Sequence, residues 1–176
     1  IVTGRLLRKT IDQLIAEDSD EGFEGTIIRN PNAIFKPGRA TLKGQELWRV
    51  KPWGDFEILV TGITEGNSNQ NEAKTNSLGR TERSSAKSGL VPNGQVGSIQ
   101  GTLVKDLAVN GGAKIIPKGT PVTAGSGKMT EKEAADFFTN PHKIVGHFAK
   151  IKTMLHGVKD LPRMPTYETL RLRQDM

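Results

Sequence analysis

From residue 56 onward, the chain consists of short segments rich in apolar and β-branched residues, each ended by a cluster of Gly, Pro or Asn. Runs of this length and composition, bounded by turn residues, are typical of β-strands. Many short strands at close spacing restrict this region to a small β-barrel or β-sandwich. The predicted strands are Ile58–Ile63, Gly97–Lys105, Lys114–Ile116, Val122–Ala124, Ile144–Lys152 and Thr166–Arg173.

One helix is predicted within this run of strands. Thr130 is suited to the N-cap, Glu133 follows three residues later as in a capping box, and Asn140-Pro141 ends the segment. The apolar face of this helix consists of Ala134, Phe137 and Phe138. About five strands and one helix in roughly 120 residues fit an OB-fold, which is a five-stranded barrel.

The first 55 residues follow a different pattern. Apolar residues at helical spacing between Thr3 and Asp18 predict an amphipathic helix. Because Pro52-Trp53-Gly54 interrupts the strand that precedes it, we expect a domain boundary at Gly54–Asp55, with residues 1–55 in one domain and 56–176 in the barrel. The expected fold class is α+β and mostly β. The strands predicted in the first domain are Gly25–Arg29, Ala33–Phe35 and Glu46–Lys51.

The composition excludes several classes of function. The absence of cysteine excludes a disulfide scaffold, a cysteine-based zinc finger and thiol catalysis. No run of about 18 apolar residues is present, so no membrane-spanning helix is predicted. The net charge of +6 favours polyanionic partners such as nucleic acid. The three histidines lack the spacing of a zinc site, and Gly125–Lys128 lacks the full phosphate-loop pattern and is interpreted as a turn.

Two neighbouring segments carry candidate residues for phosphate chemistry. Glu24 stands at the entrance of the Gly25–Arg29 strand and Arg29 at its exit, where they could bracket a triphosphate and its magnesium ion. Arg49 and Lys51 are two residues apart and therefore share one face of their strand. The alternative for the first segment is a solvated acidic turn, and for the second a pair of exposed surface cations.

Two further basic segments lie in the predicted barrel. Arg171 and Arg173 share a strand face, with Asp175 available to orient them, although a charged edge strand protected from aggregation has the same pattern. The segment from 65 to 89 is rich in Asn and Ser and is predicted to be a loop. It is either a mobile basic loop or one that orders on a nucleic-acid backbone through Lys74, Arg80, Arg83 and Lys87.

The order of these patterns resembles that of ATP-dependent DNA ligases, the phage-type branch above all. Glu24–Arg29 is similar to nucleotidyltransferase motif IV of that family, and Trp48–Pro52 to motif V. Arg163–Tyr167 followed by Arg171–Asp175 resembles motif VI at the end of an OB-fold domain. The resemblance covers nearly the whole chain and implies that residues 1–55 are the C-terminal segment of an adenylation domain.

The resemblance implies a role for each matched residue. Glu24 would bind the catalytic Mg²⁺, with Glu21 as the alternative if the register is offset. Arg29, Arg49 and Lys51 would contact ATP, Lys51 at the α-phosphate. Arg171 and Arg173 would orient the pyrophosphate leaving group, and Asp55 would lie at the pivot between the domains.

The implied function is sealing of nicks in duplex DNA through enzyme-AMP and DNA-adenylate intermediates, as in DNA replication, repair and recombination. The implied partners are ATP and nicked DNA, and the expected protein is a monomer in the bacterial or phage-infected host cytoplasm. An RNA ligase or capping-type nucleotidyltransferase shares the motif order. A non-catalytic OB-type nucleic-acid-binding module is the alternative from a different class.

Two departures from the family pattern affect the expected activity. The family's nucleophile is the lysine of a K-x-D-G motif, and this sequence contains no Asp-Gly dipeptide. We therefore expect the chain to be the C-terminal portion of a ligase that does not adenylate itself. Motif VI of the family often ends in Asp-Lys, whereas Met176 follows Asp175 here, which leaves Arg171 and Arg173 as the pyrophosphate contacts.

Overall fold

A computed structural model describes residues 10–35, 38, 40–41 and 43–171. The described residues form two compact units. The first contains the described residues up to Gly54 together with Leu107–Ile116 and Thr153–Arg163, and the second contains the remainder from Asp55 onward. The division of the sequence into residues 1–55 and 56–176 stays a prediction.

Two helices and eleven strands make up the described chain. In chain order they are α1 (Ile11–Asp20), β1 (Thr26–Arg29), β2 (Leu47–Val50), β3 (Trp53–Asn69), β4 (Ala73–Thr75), β5 (Thr81–Arg83), β6 (Leu90–Leu103), β7 (Leu107–Val109), β8 (Lys114–Ile116), β9 (Pro121–Gly125), α2 (Glu131–Thr139), β10 (Phe148–Met154) and β11 (Arg163–Arg171). Short 3₁₀ turns lie at Lys87–Gly89 and Pro141–Lys143.

Helix α1 begins at a capping box that the sequence analysis did not identify. The Thr10 hydroxyl accepts a hydrogen bond from the Gln13 N–H at 3.3 Å, and the Gln13 side chain accepts one from the Thr10 N–H at 3.0 Å. Leu14 is the buried residue of the helix. The part of the predicted helix that precedes Thr10, including Leu7, lies outside the described residues.

Strands β1 and β2 form an antiparallel pair, which confirms two of the three strands predicted in this region. The register runs from Thr26 opposite Val50 to Arg29 opposite Leu47. The predicted strand at Ala33–Phe35 is wrong. Asn30 instead organises a turn there, since its carbonyl accepts a bond from the Ala33 N–H and its side chain one from the Asn32 N–H.

The remaining part of the first unit is a small hairpin, β7 with β8, and the segment from 153 to 163. Asn110 joins the two: its amide donates to the Val158 carbonyl at 2.8 Å and its side-chain oxygen accepts from the Val158 N–H at 3.0 Å. The backbone N–H of Asn110 also donates to the Leu155 carbonyl at 2.7 Å. These bonds hold the segment from 153 to 163 against the hairpin and satisfy backbone groups of Leu155 and Val158.

Five strands of the second unit close a barrel in the order β10-β11-β9-β6-β3. β3 and β6 are antiparallel, β6 and β9 are antiparallel, and β9 runs parallel to β11. Helix α2 connects β9 to β10 along the chain. The predicted fold class, mostly β with an OB-type barrel that contains one helix, is confirmed.

The barrel interior is filled by alternate residues of each strand, as the period of two requires. β9 exposes Pro121 and Thr123 and buries Val122 and Ala124. Tyr167 of β11 is also buried, and burial raises the pKa of its hydroxyl. The completely buried side chains in this core include Ile58, Ile99, Ala124, Ile144, Ala149 and Ile151.

Helix α2 confirms the predicted helix and its cap. The Thr130 hydroxyl accepts a hydrogen bond from the Glu133 N–H at 3.2 Å, and the Glu133 carboxylate accepts one from the Thr130 N–H at 2.9 Å. These bonds lower the pKa of Glu133 below its ordinary value.

The loop predicted between residues 65 and 89 is wrong. β3 continues to Asn69, β4 and β5 form a hairpin, and β6 begins at Leu90. All residues of β4 and β5 are exposed, so the hairpin has no alternation of polar and apolar residues by which a sequence reveals a strand. Asn76 makes its turn by accepting hydrogen bonds from the Leu78 and Arg80 N–H groups, both at 3.0 Å.

Neither α1 nor α2, the helices of the described residues, is long and apolar enough to cross a membrane.

Close approach of β3 and β6 leads to a prediction about Gly101. A Cβ atom at Gly101 would lie 2.5 Å from the Leu59 carbonyl oxygen and 2.9 Å from the Ile58 Cδ1 atom. We expect Gly101→Ala to lower the free energy of unfolding by about 1–3 kcal/mol, since the added methyl group has no space.

Gly125→Ala is the matched control, because a Cβ at Gly125 meets no atom within 4 Å. Urea denaturation followed by circular dichroism measures both variants. Equal stability of the two variants would contradict the tight approach of β3 and β6.

Candidate functional site

The candidate site begins where the chain enters β1. A Cβ atom at Gly25 would overlap the Val50 carbonyl oxygen and would lie 3.1 Å from the Lys51 Cγ atom. Only glycine permits this approach of two backbones. It brings Glu24, just before Gly25, next to Lys51, just after β2.

Two cations share one oxygen atom of Glu24. The Lys51 Nζ and the Arg163 Nη1 both donate to Glu24 Oε1, the second at 2.8 Å. The side chains of Glu24, Arg163 and Lys51 are 43%, 36% and 19% exposed, so the cluster lies at the surface of the first unit.

Arg163 is held in place from the buried side. Its backbone carbonyl accepts a 2.8 Å hydrogen bond from the hydroxyl of Thr153, which is completely buried. Its Nη1 also reaches the His156 carbonyl at 3.4 Å. Gly157 leaves room for the guanidinium, because a Cβ there would lie 2.7 Å from Nη1.

Polar side chains beneath this cluster connect α1 to the same segments. The Thr26 hydroxyl donates to the Asp18 carboxylate at 2.6 Å, which links the start of β1 to α1. The Ser19 hydroxyl lies 3.2 Å from Nε2 of His156, a buried residue. α1, β1 and the segment from 153 to 163 are thereby joined through side-chain hydrogen bonds.

The two cations also set the protonation state of Glu24. The hydrogen bond from Lys51 is the main cause that holds the pKa of this carboxyl below its ordinary value, and Arg163 adds to the effect. Glu24 is therefore ionised at neutral pH and can serve as a ligand for a divalent cation.

The other predicted residues of the first unit lie on the same strands at different positions. Arg29 is at the far end of β1, with its guanidinium carbon 5.5 Å from the centroid of the Phe35 ring. Arg49 is exposed on β2 opposite Ile27. Glu21 is the C-cap residue of α1. The structure thus brings together Glu24 and Lys51, and adds Arg163 to them.

In the second unit, Asp55 and Arg171 belong to separate ion pairs. The Asp55 carboxylate lies 3.3 Å from the Lys150 ammonium. Arg171 lies 3.8 Å from Glu57, and its Nε atom is buried with no hydrogen-bond partner among the described residues. Arg173 and Asp175 lie outside the described residues.

The four cations predicted to contact nucleic acid all lie on the hairpin and the turn that follows it. Lys74 is in β4 and Arg83 in β5, Arg80 is at the turn between them, and Lys87 begins the 3₁₀ turn. Arg83 donates to the Asn71 carbonyl, and Lys74 lies 3.8 Å from the Glu72 carboxylate. These residues are exposed, which leaves their charges accessible to a ligand.

Arg163 is the site residue that sequence reasoning missed. The pattern Arg163–Tyr167 was part of the resemblance, but no role was predicted for its first arginine. The sequence did contain a signal for this residue, because Arg163 is the first residue of the R-x-P-x-aromatic pattern that ends at Tyr167. Its position beside Glu24 depends on a contact between residues 139 apart in the sequence.

Glu24 is the one carboxylate of this cluster that could bind a magnesium ion. The described part of the chain contains no group of three or more His, Cys, Asp or Glu side chains that could hold a metal by itself. Magnesium is commonly held by one or two carboxylates together with substrate phosphates and water. Glu24 could supply one such carboxylate.

Comparisons with known proteins find similarity to DNA ligases, the family that the motifs resemble. No protein-family model matches the chain. A DNA ligase of African swine fever virus is 33% identical over 61 residues, which cover 33% of this chain and 15% of that protein. A Lig E DNA ligase described as binding DNA with a minimal scaffold has a TM-score of 0.56 at 20% identity, over 92% of this chain and 45% of that one. A solved protein named Pmar-Lig has a TM-score of 0.58 at 16% identity, over 91% and 30%.

These comparisons confirm the expected resemblance to DNA ligases. The solved structures support the fold over nearly all of this chain, and the viral relative supports the likeness in sequence over a third of it. In every case the matched region spans less than half of the other protein.

Titration of Glu24 provides a test of the site. Because its pKa is lowered in the folded protein, the ion pairs of Glu24 stabilise the fold above its ordinary pKa of about 4.5 and are lost as the pH falls through the lowered value. Carboxyl-carbon NMR should give a midpoint below that of an unperturbed glutamate. We expect both Lys51→Met and Arg163→Met to raise the midpoint; an unchanged midpoint in both variants would contradict the observed pairing.

Proposed function

We propose that this chain acts within an ATP-dependent DNA ligase that seals nicks in duplex DNA through enzyme-AMP and DNA-adenylate intermediates. The observation that carries this proposal is the meeting of Glu24 with Lys51 at the junction of β1 and β2. These two residues belong to the two patterns that resemble motifs IV and V, and they are in direct contact. The nucleophilic lysine would come from sequence outside this chain, since no Asp-Gly dipeptide is present.

The residues of the site are suited to nucleotidyl transfer, in which charge develops on phosphate oxygens. Lys51 would hold the α-phosphate, and Arg29 and Arg49 would bind the nucleotide from the strands that carry them. Fixed cations aimed at the developing charge supply much of the acceleration in such reactions. When bound through Glu24, Mg²⁺ would supply further charge neutralisation at the phosphates.

The barrel unit would supply the remaining groups. Arg171 and Arg173 would orient the pyrophosphate leaving group, and Asp55 would be the pivot between an adenylation domain ending at residue 55 and the OB domain from 56 to 176. The Asp55–Lys150 ion pair supports the proposed place of Asp55 at the pivot. It fixes the first residue of the second unit to β10, so the chain before Asp55 would be the part that moves.

Nicked duplex DNA is the proposed macromolecular partner, and the cytoplasm of a bacterium or phage-infected host the proposed location. The exposed cations of the hairpin support DNA binding, because arginine and lysine can neutralise successive phosphates of the duplex. The protein is proposed to act as a monomer in replication, repair and recombination.

Sealing of nicked DNA by the full-length protein is the direct test. We expect Lys51→Ala and Glu24→Ala each to reduce the sealing rate by about 10²–10³-fold, the effect of removing one preorganised group that stabilises transition-state charge. Lys114→Ala is the control, since Lys114 is a surface lysine of the same unit that pairs with Asp160. Unchanged sealing in both site variants would instead favour the non-catalytic OB-type module.

A parallel assay with nicked RNA distinguishes the ligase types. We expect sealing of nicked DNA to exceed sealing of RNA ends. The reverse preference would identify an RNA ligase or capping-type enzyme. This chain alone, incubated with labelled ATP and Mg²⁺, should form no AMP adduct.

The salt dependence of DNA binding tests the hairpin. Log affinity of this chain for nicked duplex should fall with log salt by about 0.9 for each phosphate neutralised. Glutamine in place of all four cations (Lys74, Arg80, Arg83 and Lys87) should make the plot of log affinity against log salt less steep. The slope should fall by about 0.9 for each phosphate contact that is lost.

Glutamine at four other surface lysines is the matched control for net charge; the chosen residues are Lys105, Lys114, Lys118 and Lys132. Fluorescence anisotropy at several salt concentrations measures both variants. Equal slopes for the hairpin variant and the unchanged chain would exclude the hairpin from the DNA interface, and a flat dependence would exclude DNA binding altogether.

A further inference from the structure

Lys51 and Arg163 converge on a single atom, Glu24 Oε1. Two cations that donate to one oxygen lie only a few ångströms apart, and they repel each other unless an anion stays between them. The carboxylate of Glu24 is that anion in the free chain. Its side chain is the most exposed of the three.

Arg163 is positioned by contacts that do not involve Glu24, and strand pairing sets the backbone position of Lys51. Arg163 is fixed by the buried Thr153 hydroxyl, the His156 carbonyl and the space above Gly157. Lys51 follows β2, whose pairing with β1 sets its position. Departure of the Glu24 side chain would therefore leave the fixed Arg163 guanidinium and the nearby Lys51 ammonium without their anion.

A phosphate group has the chemistry to take the place of this carboxylate. Like a carboxylate it presents oxygen atoms to N–H donors, but it carries more charge and more acceptor oxygens. An arginine fork and a lysine ammonium are the two side chains that proteins use most directly to bind phosphate.

We propose that Lys51 and Arg163 form a phosphate seat that the Glu24 carboxylate occupies in the free protein and yields to a phosphate group of the ligand. This inference rests on the proposed function and deepens it in two respects. It assigns phosphate binding to Arg163, and it gives Glu24 two alternating partners, the cations in the free chain and the divalent metal in the complex.

Binding of inorganic pyrophosphate to this whole chain, measured by isothermal titration calorimetry without divalent metal, tests the seat. Glu24→Gln removes the charge of the internal competitor while both cations stay. We expect it to tighten pyrophosphate binding about tenfold, within the usual range of coupling between competing interactions. Unchanged or weaker binding would overturn the proposal.

Substitutions of the cations complete this test. In the Glu24→Gln background, Arg163→Met should remove the gain in affinity and Arg163→Lys should keep part of it. Lys114→Met in the same background should keep all of it, since Lys114 pairs with Asp160 and lies outside the cluster. Undiminished pyrophosphate affinity in the Glu24→Gln/Arg163→Met double variant would overturn the role of Arg163. If the double variant fails to fold, pyrophosphate binding by Glu24→Gln alone decides whether the seat exists.

The phosphate of a nucleotide and the terminal phosphate of a DNA strand share this chemistry, so a second probe separates them. A short oligodeoxynucleotide is titrated with a 5′-phosphate and with a 5′-hydroxyl. An Arg163-dependent preference for the phosphorylated strand identifies the strand end as the ligand; pyrophosphate binding without that preference identifies the nucleotide. Neither result would overturn the seat.

Failure of the seat and failure of the proposed function give different results. A protein that binds pyrophosphate more tightly as Glu24→Gln but seals no nicks would retain the seat and lose the ligase assignment. A protein that seals nicks and shows no such gain would retain the ligase assignment and lose the seat.

Discussion

One carboxylate oxygen, Glu24 Oε1, joins parts of the chain that are far apart in sequence. Its two donors, Lys51 and Arg163, follow it by 27 and 139 residues. Gly25 makes this meeting possible by allowing the entrance of β1 to approach the end of β2. The first unit is discontinuous in the sequence, and this shared oxygen together with the Asn110–Val158 bonds joins its segments.

The second unit also places one carboxylate between two cations, here through its two separate oxygens. Glu168 lies 2.7 Å from the Lys128 ammonium and 3.6 Å from that of Lys150, and these cations lower the pKa of its carboxyl, Lys128 foremost. Lys150 also pairs with Asp55 at 3.3 Å. Because both carboxyl pKa values are lowered, Glu24 and Glu168 are ionised and paired across the neutral range.

Sequence reasoning succeeded where local patterns carry the structure. Short apolar and β-branched runs ended by turn residues predicted β1 and β9, alternation predicted β2, and the capping box at Thr130 and Glu133 predicted α2. The number of short strands predicted the OB-type barrel. It failed where information is not periodic: β4 and β5 bury neither face, and Asn30 turns the chain at a segment with strand composition. Of the site, Glu24 and Lys51 were predicted, whereas Arg163 depends on a tertiary contact that no local spacing encodes.

The position of Arg163 near the start of β11 has a consequence for biosynthesis. A ribosome makes α1, β1 and β2 early, yet the arginine that completes the cluster around Glu24 emerges only after nearly all of the barrel has been made. During translation the cluster around Glu24 therefore stays incomplete while β3 to β10, including the first unit's own β7 and β8, are produced. Because β11 begins at the same arginine, vectorial synthesis supplies the last strand of the barrel and the last partner of Glu24 together.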